Sequence, residues 1–404
     1  MNLMMTTKPA PLNQKFIILI SFAVGIMAAN IYYAQPILAL IATSLGLRPD
    51  AAGLIMTLTQ VGYGLGVLFI IPLGDLFENK KLILIMISLT ILAELALGFS
   101  KDVTPYFVAS VLAGLGASAV QIIIPYTTHL FDKSQRGQIL GSLMSGLMLG
   151  IMLSRPLSSL LADLVSFHAV FFVSAVIMSL LLWKLALSLP ERKPEKTNLK
   201  YVQLIWSMKQ LVVTRPTLRR RAIYQSLMFG GFCVFWTTVP LLLMNSEFQF
   251  TQTGVAIFAL AGLAGAIVAP YAGKMADRGF SRKATILSFT VGIISFILSH
   301  FIHEKSFLNL AILVVAANFL DAGVSAHLVL GQRAIFMIDP KNQSRLNGLY
   351  IGVVYVGGAI GSALGAWAFL HGGWGTATLI GALFPILALG LLTTEKFFRY
   401  IETD

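Results

Sequence analysis

Three formally charged residues lie well inside long apolar segments of this 404-residue sequence: Glu94, Arg155 and Asp321. A charged group within an apolar stretch is costly unless it faces a cavity or a partner. A buried carboxyl group can carry a proton, and a buried guanidinium can bind an anionic group of a ligand. The structural alternatives are a hydrogen-bonding role for the acids and an ion pair for the arginine.

Asp321 is the first candidate for proton-coupling chemistry, because Asn318 and Ser325 share its helix face at spacings of three and four residues. Glu94 is the second candidate, with a position near the membrane surface as its alternative. Arg155 precedes Pro156, which distorts a helix. It could bind an anionic group of the substrate or neutralise a buried acid, and the sequence favours neither interpretation.

Aromatic and amide side chains supply further candidates for a solute cavity. One helical stripe repeats them at intervals of four, three and four residues, and it comprises Gln225, Phe229, Phe232 and Trp236. Other candidates are Asn30, Tyr32, Tyr33, Gln35, Gln121, Tyr126 and His327. Rings in membrane helices more often pack or face lipid, but amides beside them favour a cavity. Such a cavity suits an amphipathic organic molecule better than a bare ion.

The elements that must position these residues are apolar spans. The sequence is 57% hydrophobic and 11% charged, with a mean hydropathy of +0.82. Soluble domains carry about a quarter charged residues, so lipid must solvate much of this surface. Spans of sufficient length to cross a bilayer are predicted near 16–39, 51–73, 82–99, 105–130, 138–162, 168–189, 221–244, 253–273, 284–302, 307–329, 346–370 and 374–393.

The basic residues predict the topology. Among the 29 Lys and Arg residues, the loops predicted to lie outside hold only Arg48, Lys101 and Lys305. This bias predicts that both termini lie in the cytoplasm. The net charge of +12 is therefore interpreted as a topology signal. Nucleic-acid binding would need a contiguous basic face, and the sequence shows none.

A polar interruption divides the spans into two sets of six. We predict an N-terminal bundle over 1–189, a linker over 190–220 with an interfacial amphipathic helix, and a C-terminal bundle over 221–404. Leu73-Gly74-Asp75 with Lys80-Lys81 matches Met275-Ala276-Asp277 with Arg282-Lys283 in the corresponding loop of each half. Internal repeats of this kind are typical of transporters.

These loop motifs resemble the hallmark of the major facilitator superfamily, and the resemblance covers essentially the whole chain. The copy from Gly273 to Lys283 is close, whereas the copy from Pro72 to Lys81 keeps the acid and the basic end. The resemblance implies that Asp75 and Asp277 form cytoplasmic latches with nearby basic residues. The latch residues so implied are Asp75, Lys80, Lys81, Asp277, Arg278 and Arg282.

Two further segments are similar to bacterial twelve-helix drug/proton antiporter-type exporters of this superfamily. They are the segment from Asn30 to Pro36 and the segment from Asp321 to Asn347. The resemblance implies that the tenth helix, with Asp321, lines a central cavity and that the third helix, with Glu94, sits towards the outside. The sequence departs from the subgroup at Ser110 and around Arg155, where the family has an Arg and a Gly-rich signature.

We therefore predict an all-α polytopic membrane protein of twelve transmembrane helices in two pseudo-symmetric six-helix bundles. The predicted function is proton-coupled efflux of a small amphipathic organic solute, drug-like or a metabolite. The alternatives are uptake of a nutrient such as a sugar or organic acid, and a non-transporting receptor. We expect no enzymatic activity, cofactor, metal or nucleic-acid partner, and a monomer in a bacterial inner membrane. A P-loop is absent from the sequence.

Overall fold

The computed structural model describes residues 14–48, 51–131, 135–192, 200–245, 247–260, 264–302, 304–338 and 343–399. Within these ranges the chain forms helices and no strand. The helices are α1 (Gln14–Ala29), α2 (Leu38–Ser44), α3 (Gly53–Leu65), α4 (Asn79–Phe99), α5 (Val103–Ala117), α6 (Val120–His129), α7 (Arg136–Leu164), α8 (Phe167–Ser188), α9 (Tyr201–Thr214), α10 (Pro216–Met244), α11 (Gln252–Ala259), α12 (Ala264–Asp277), α13 (Ser281–His300), α14 (Phe307–Phe336) and α15 (Gln343–Arg399).

Twelve crossings follow from these helices. Nine of the described helical segments are long and apolar enough to cross a membrane. One of the nine, α15, holds two crossings joined at Gly373, whose φ of +66° interrupts the helix where the sequence predicts a loop. The α1–α2 pair and the α11–α12 pair supply the other two. The predicted all-helical fold is confirmed.

The first crossing differs from the unbroken span predicted over 16–39. Helix α1 ends at Ala29, turns fill 30–37, and α2 then begins at Leu38. Pro36 lacks an N–H group, so it cannot continue an α-helical hydrogen-bond ladder. Tyr32 and Gln35 lie in this turn, and both side chains are buried.

The two halves repeat one packing scheme. In the first half, α1 packs on α7, α3 on α5 and α4 on α8. In the second half, α10 packs on α15, α12 on α14 and α13 on α15. Counted as crossings, the pairs 1–5, 2–4 and 3–6 recur as 7–11, 8–10 and 9–12. The contacts between the halves are equally symmetric, since α3 meets α15 and α7 meets α11.

Glycines allow the closest of these contacts. A Cβ atom on Gly150 of α7 would lie 2.0 Å from the carbonyl oxygen of Gly25 in α1. A Cβ atom on Gly361 of α15 would lie 2.1 Å from the carbonyl oxygen of Gly230 in α10. These glycines therefore allow close helix packing, and they do so at equivalent helix pairs in both halves.

The outer surface is apolar, as lipid requires. Large hydrophobic side chains such as Leu92, Phe99, Leu180 and Trp183 are exposed. The linker contains the predicted helix, α9, which buries Leu204, Met208 and Leu211 against the bundles. Val202 and Trp206 lie on its exposed side. We call the end of the molecule that carries α9 the linker side, and the opposite end the far side.

Candidate functional site

A cluster of four buried side chains lies where the two halves meet. We call it the charge cluster, and it comprises Gln35, Arg155, Trp236 and Asp321. The guanidinium Nε of Arg155 donates a hydrogen bond to Gln35 Oε1 at 3.0 Å. The indole N–H of Trp236 donates to Asp321 Oδ1 at 2.8 Å. Each hydrogen bond therefore joins residues of the same half, and the two pairs face each other across the seam between the halves.

The guanidinium of Arg155 holds the two pairs together. Its carbon lies 4.2 Å from the ring centroid of Trp236 and 5.0 Å from that of Phe232, both in α10 of the opposite half. It also lies 5.6 Å from the ring of Tyr32. A desolvated cation on an aromatic face gains about 2 kcal/mol. The charge of Asp321 also attracts Arg155 electrostatically, so the cluster balances one cation with one anion.

Three tyrosines continue the polar seam towards the linker side. We call Tyr32, Tyr63 and Tyr355 the tyrosine cluster. The hydroxyl groups of Tyr32 and Tyr355 are hydrogen-bonded at 3.2 Å. The rings of Tyr63 and Tyr355 lie 4.1 Å apart. Because Tyr355 belongs to the second half and the other two to the first, this cluster also crosses the seam.

Amide side chains form the next layer. Gln121 Nε2 donates to the hydroxyl of Tyr63 at 3.0 Å. Asn347 Nδ2 in turn donates to Gln121 Oε1 at 3.0 Å, and Gln332 Nε2 donates to Asn347 Oδ1 at 3.3 Å. Helices α6, α14 and α15 thus join through side-chain amides, and a file of polar groups runs from the tyrosine cluster towards the linker side.

Aromatic rings and one further amide complete the lining. Phe229 and Phe232 stack with centroids 5.4 Å apart, and Phe229 lies 5.1 Å from Tyr355. Gln60 of α3 donates to Cys233 Sγ and to a serine of α15, both at 3.3 Å. The predicted stripe on α10 therefore does face the seam from Phe229 to Trp236.

Several predicted residues lie away from this seam. Asn30 accepts a hydrogen bond from Ser174 at 2.6 Å, within the first half. Tyr33 is likewise buried within the first half. Glu94 is buried there, and its Oε2 atom has no hydrogen-bond partner. The structure thus separates Glu94 from Asp321.

The remaining predicted residues take local positions in the second half or near the linker. Gln225, the first residue of the predicted stripe, is hydrogen-bonded through its Oε1 to Nδ1 of His327 at 2.6 Å. Asn318 Nδ2 donates to a backbone carbonyl of its own helix at 2.8 Å, and Ser325 is half-buried. Tyr126 donates to the carbonyl of Pro190, where the linker begins. None of these contacts reaches the charge cluster.

The first latch motif contacts the opposite half. Asp75 Oδ2 lies 3.5 Å from Arg345 Nε in α15, rather than forming its ion pair with Lys80 or Lys81. The backbone N–H groups of Lys80 and Lys81 donate to the carboxylate of Glu78, which caps α4. In the second motif, Arg278 and Arg282 are exposed and the side chain of Asp277 lies outside the described residues.

Sequence reasoning missed the tyrosine partners and the ion-pair partner. Tyr355 has no polar residue at a spacing of three or four in its glycine-rich apolar helix, whereas Tyr63 follows Thr59 and Gln60 at those spacings, which was the available signal for it. Arg345 lies at the start of a predicted crossing, on the same side of the membrane as Asp75, and that position was the available signal for the ion pair.

The far side of the seam is closed by a separate set of contacts. Ser159 of α7 donates to the backbone and side-chain oxygens of Gln252 at 2.7 and 2.9 Å. The hydroxyl and backbone N–H of Thr253 donate to Asp163. A cavity of about 10 Å³ beside Arg155 and Trp236 is large enough for about one water molecule. The charge cluster is therefore enclosed.

A family model described as "Major Facilitator Superfamily" matches residues 20–320 and 221–398. This chain belongs to the major facilitator superfamily. It is therefore a multi-pass membrane protein and a transporter of the major facilitator type, in agreement with the names of its relatives. Among the described residues, no group of His, Cys, Asp and Glu is arranged to hold a metal ion.

Two relatives within the superfamily are similar over nearly the whole chain. The "Uncharacterized transporter YgaY" of Escherichia coli is 35% identical over 384 residues, which cover 95% of this chain and 96% of that protein. The "Probable transporter SCO4007" of Streptomyces coelicolor is 29% identical and covers 92% of this chain and 85% of that protein.

Two solved structures of transporters share the fold. The nucleoside transporter NupG aligns with a TM-score of 0.77 at 12% identity, covering 94% of this chain and 99% of that one. The human organic anion transporter MFSD10 aligns with a TM-score of 0.68 at 14% identity, covering 95% of this chain and 100% of that one. At these identities the similarity establishes the architecture alone.

Proposed function

We propose that this protein is a proton-coupled secondary transporter that moves a small amphipathic organic solute by alternating access. The observation that carries this proposal is the charge cluster: a buried carboxyl group, Asp321, opposite a buried guanidinium, Arg155, at the seam between two pseudo-symmetric halves. Intramembrane charges at such an interface are costly to maintain and typically take part in substrate or proton movement.

Alternating access is supported by two separate seals. The linker-side seal consists of the Asp75–Arg345 ion pair and α9, where Ser207 accepts a hydrogen bond from Arg345 at 2.9 Å. The far-side seal consists of the contacts of Ser159 and Asp163 with α11. Breaking either seal while keeping the other would open the charge cluster to one side of the membrane. The conformation described here has both seals in place and is therefore occluded.

The lining of the seam suits an amphipathic organic solute. Rings of Phe229, Phe232 and Tyr355 offer apolar surface, and the amides and hydroxyl groups between them offer hydrogen bonds. Gln60 adds an amide that bridges the two halves. A groove of about 370 Å³ between α3 and α15 reaches from Gln60 to the lipid-facing surface, where its lining residues Val61, Leu65 and Val356 are exposed.

Coupling to protons rests on Asp321 in our proposal. When ionised, Asp321 accepts the indole N–H of Trp236 and balances the charge of Arg155. When protonated, it leaves Arg155 without a counter-charge. The state of this single carboxyl group therefore changes the net charge that the seam presents to a solute. A change of that kind is sufficient to link proton and solute binding.

Two directions of transport are candidates, and a different observation favours each. Export by antiport is favoured by the resemblance of the segments around Gln35 and Asp321 to drug/proton antiporter-type proteins; it requires that solute and proton compete. Uptake by cotransport is favoured by Arg155, because a cation freed by protonation of Asp321 would bind an anionic solute together with the proton. In both cases we propose a monomer in the bacterial inner membrane with both termini cytoplasmic.

The test uses the purified protein in proteoliposomes that contain a pH-sensitive dye. A panel of amphipathic organic compounds is added outside, without an imposed proton gradient. Influx of a solute that acidifies the lumen indicates cotransport, and influx that makes it alkaline indicates antiport. Solute influx with no proton movement would contradict proton coupling. Binding without any influx would contradict transport and support a receptor. Protein-free liposomes and liposomes with the Asp321→Asn variant are the controls.

A further inference from the structure

Two buried hydrogen-bond donors in the charge cluster have no partner. They are Nη2 of Arg155 and Nε2 of Gln35. The side chains that carry them are 1% and 0% exposed. In this arrangement Gln35 must present its oxygen to the Nε–H group of Arg155, because an amide nitrogen could not accept that hydrogen bond. The spare amide donor is therefore fixed by the same contact that fixes the guanidinium.

The spare donors lie close to each other. Nε and Nη2 share one edge of a guanidinium, the edge that usually binds a carboxylate with two hydrogen bonds. Gln35 Oε1 occupies the Nε position of that edge at 3.0 Å. Nη2 and the Gln35 amide N–H groups thus remain for a third group. Buried donors without acceptors are unfavourable, and a charged donor more so, so these two donors favour a bound acceptor. In the occluded conformation the adjoining cavity admits about one water molecule, so a larger acceptor would reach these donors when a seal opens.

An anion is the acceptor that suits these two donors best. Asp321 Oδ1 already accepts from Trp236, and Asp321 is drawn to Arg155 electrostatically without replacing the missing hydrogen bonds. The rings of Tyr32, Phe232 and Trp236 surround the guanidinium at 4.2–5.6 Å. A ligand that fits has a compact anionic head and a planar or aliphatic apolar body.

From this geometry we infer that Arg155 and Gln35 form an anion subsite, and that the solute is an amphipathic organic carboxylate. This inference rests on the proposed transport function and specifies its substrate class. It also chooses between the two directions. Protonation of Asp321 removes the competing negative charge, so the proton and the carboxylate strengthen each other's binding, and linkage makes this effect reciprocal. Cotransport of the two, and hence uptake along the proton gradient, follows.

Equilibrium binding to the purified full-length protein in detergent tests the subsite without requiring transport. The probes are benzoate, phenylpropionate, naphthoate and decanoate, each paired with its primary amide and its methylammonium analogue. We expect at least one carboxylate to bind more tightly than its amide by roughly tenfold, the effect of a charge-assisted hydrogen bond. A panel in which no carboxylate is preferred over its partners overturns the inference.

Variants locate the subsite within the molecule. Gln35→Glu places a carboxylate against Arg155 Nε and supplies a built-in anion, so the protein should stay folded and lose the preference for carboxylates. Arg155→Gln should lose it too. Asp321→Asn should bind the preferred carboxylate more tightly than wild type. Arg215→Gln, which removes an exposed charge, is the matched control and should bind as wild type. A carboxylate preference that persists in folded Gln35→Glu and Arg155→Gln overturns the assignment.

The binding experiment and the transport experiment can refute the anion subsite and the proposed function separately. Loss of proton coupling with a retained carboxylate preference would refute the proposed proton-coupled function and leave the subsite standing. Proton-coupled transport of amides or ammonium compounds, with no carboxylate preferred, would leave the transport function standing and refute the subsite.

Discussion

At the scale of single residues, this protein keeps one cation and one anion apart by an aromatic ring. Trp236 donates its N–H to Asp321 and offers its ring to Arg155. A direct ion pair would bind both charges tightly to each other and leave little capacity for a ligand. The intervening indole keeps the attraction weaker, so both groups stay available for a proton or a solute.

Neutralising Asp321 tests its role in coupling. We expect Asp321→Asn to abolish proton movement coupled to solute while the protein still inserts and still exchanges solute across the membrane. The matched control is Glu94→Gln, which also neutralises a buried carboxyl group but lies within the first half. Counterflow and proton flux in proteoliposomes measure both. Retained pH dependence in Asp321→Asn would remove this residue from the mechanism.

Trp236 should contribute to stability through its hydrogen bond. Trp236→Phe keeps a ring beside Arg155 but leaves Asp321 without the indole donor. A hydrogen bond to a charged group is worth about 1.5–3 kcal/mol, so we expect the thermal midpoint in detergent to fall. Trp183→Phe, at a lipid-exposed position, is the control and should unfold at the wild-type temperature. Equal midpoints for the two variants would show that the indole N–H contributes nothing.

At the scale of elements, each half is held by helix pairs that meet at glycines. The pairs α1–α7 and α10–α15 have no room for side chains at Gly150 and Gly361. Arg155 lies in α7 and Gln35 in the turn that follows α1, while Trp236 and Tyr355 lie in α10 and α15 on the other side of the seam. Close backbone packing therefore fixes the positions of the functional side chains within each half.

A comparison within α7 tests this packing. Gly150→Ala places a methyl group 2.0 Å from the carbonyl oxygen of Gly25, whereas a Cβ atom on Gly141 meets nothing within 4 Å. We expect Gly150→Ala to cost about 1–3 kcal/mol from overpacking. Gly141→Ala should be neutral or slightly stabilising. Urea or thermal unfolding in a common detergent measures the difference, and equal stability of the two variants would argue against the α1–α7 contact.

Much of this architecture could be predicted from the sequence because lipid imposes simple rules. Span length and apolar content predict the crossings, and the repeated loop motif predicts two related halves. The sequence marks Asp321, Arg155 and Trp236 as candidate site residues, because polar groups within membrane spans are costly and typically serve a function. Their mutual arrangement could not be predicted, since it depends on how three helices far apart in the sequence meet.

Other parts of the site leave no local signal. The Tyr32–Tyr355 contact joins residues 323 positions apart, and Tyr355 has no polar neighbour at helical spacing, although Tyr32 has Gln35 three residues later. Glu94 has the same sequence character as Asp321, an acid in an apolar span. The structure separates them because α4 packs on α5 and α8, away from the seam. The pairing of Asp75 with Arg345 likewise depends on the contact between the halves.

At the scale of the whole molecule, two sets of packed helices are joined by a linker and by the two seals. The seals have unequal chemistry. The linker-side seal includes a partly exposed ion pair, with side chains 20% and 40% exposed, and its strength falls with salt. The far-side seal includes hydrogen bonds of buried side chains, Ser159 and Gln252. In the proposed transport cycle, opening therefore alternates between breaking an ion pair and breaking a hydrogen-bonded contact.

The native Cys233 reports this opening. It is fully buried and accepts a hydrogen bond from Gln60 of the other half. We expect a maleimide to label it only when one seal opens, at a rate that falls when solute holds the occluded state. Gln60→Ala should raise the labelling rate by loosening the seam, and the lipid-facing Val61→Ala is its control. Labelling as fast as for a free thiol would contradict the occluded state.

Cross-linking each seal separately tests alternating access at this seam. Two double variants in a transport-competent Cys233→Ser background serve: Asp75→Cys with Arg345→Cys, and Ser159→Cys with Gln252→Cys. A short reducible bifunctional thiol cross-linker joins each pair, and solute exchange is measured in proteoliposomes before and after reduction. We expect either cross-link alone to stop exchange and reduction to restore it. Full exchange with either pair cross-linked would contradict alternating access at this seam.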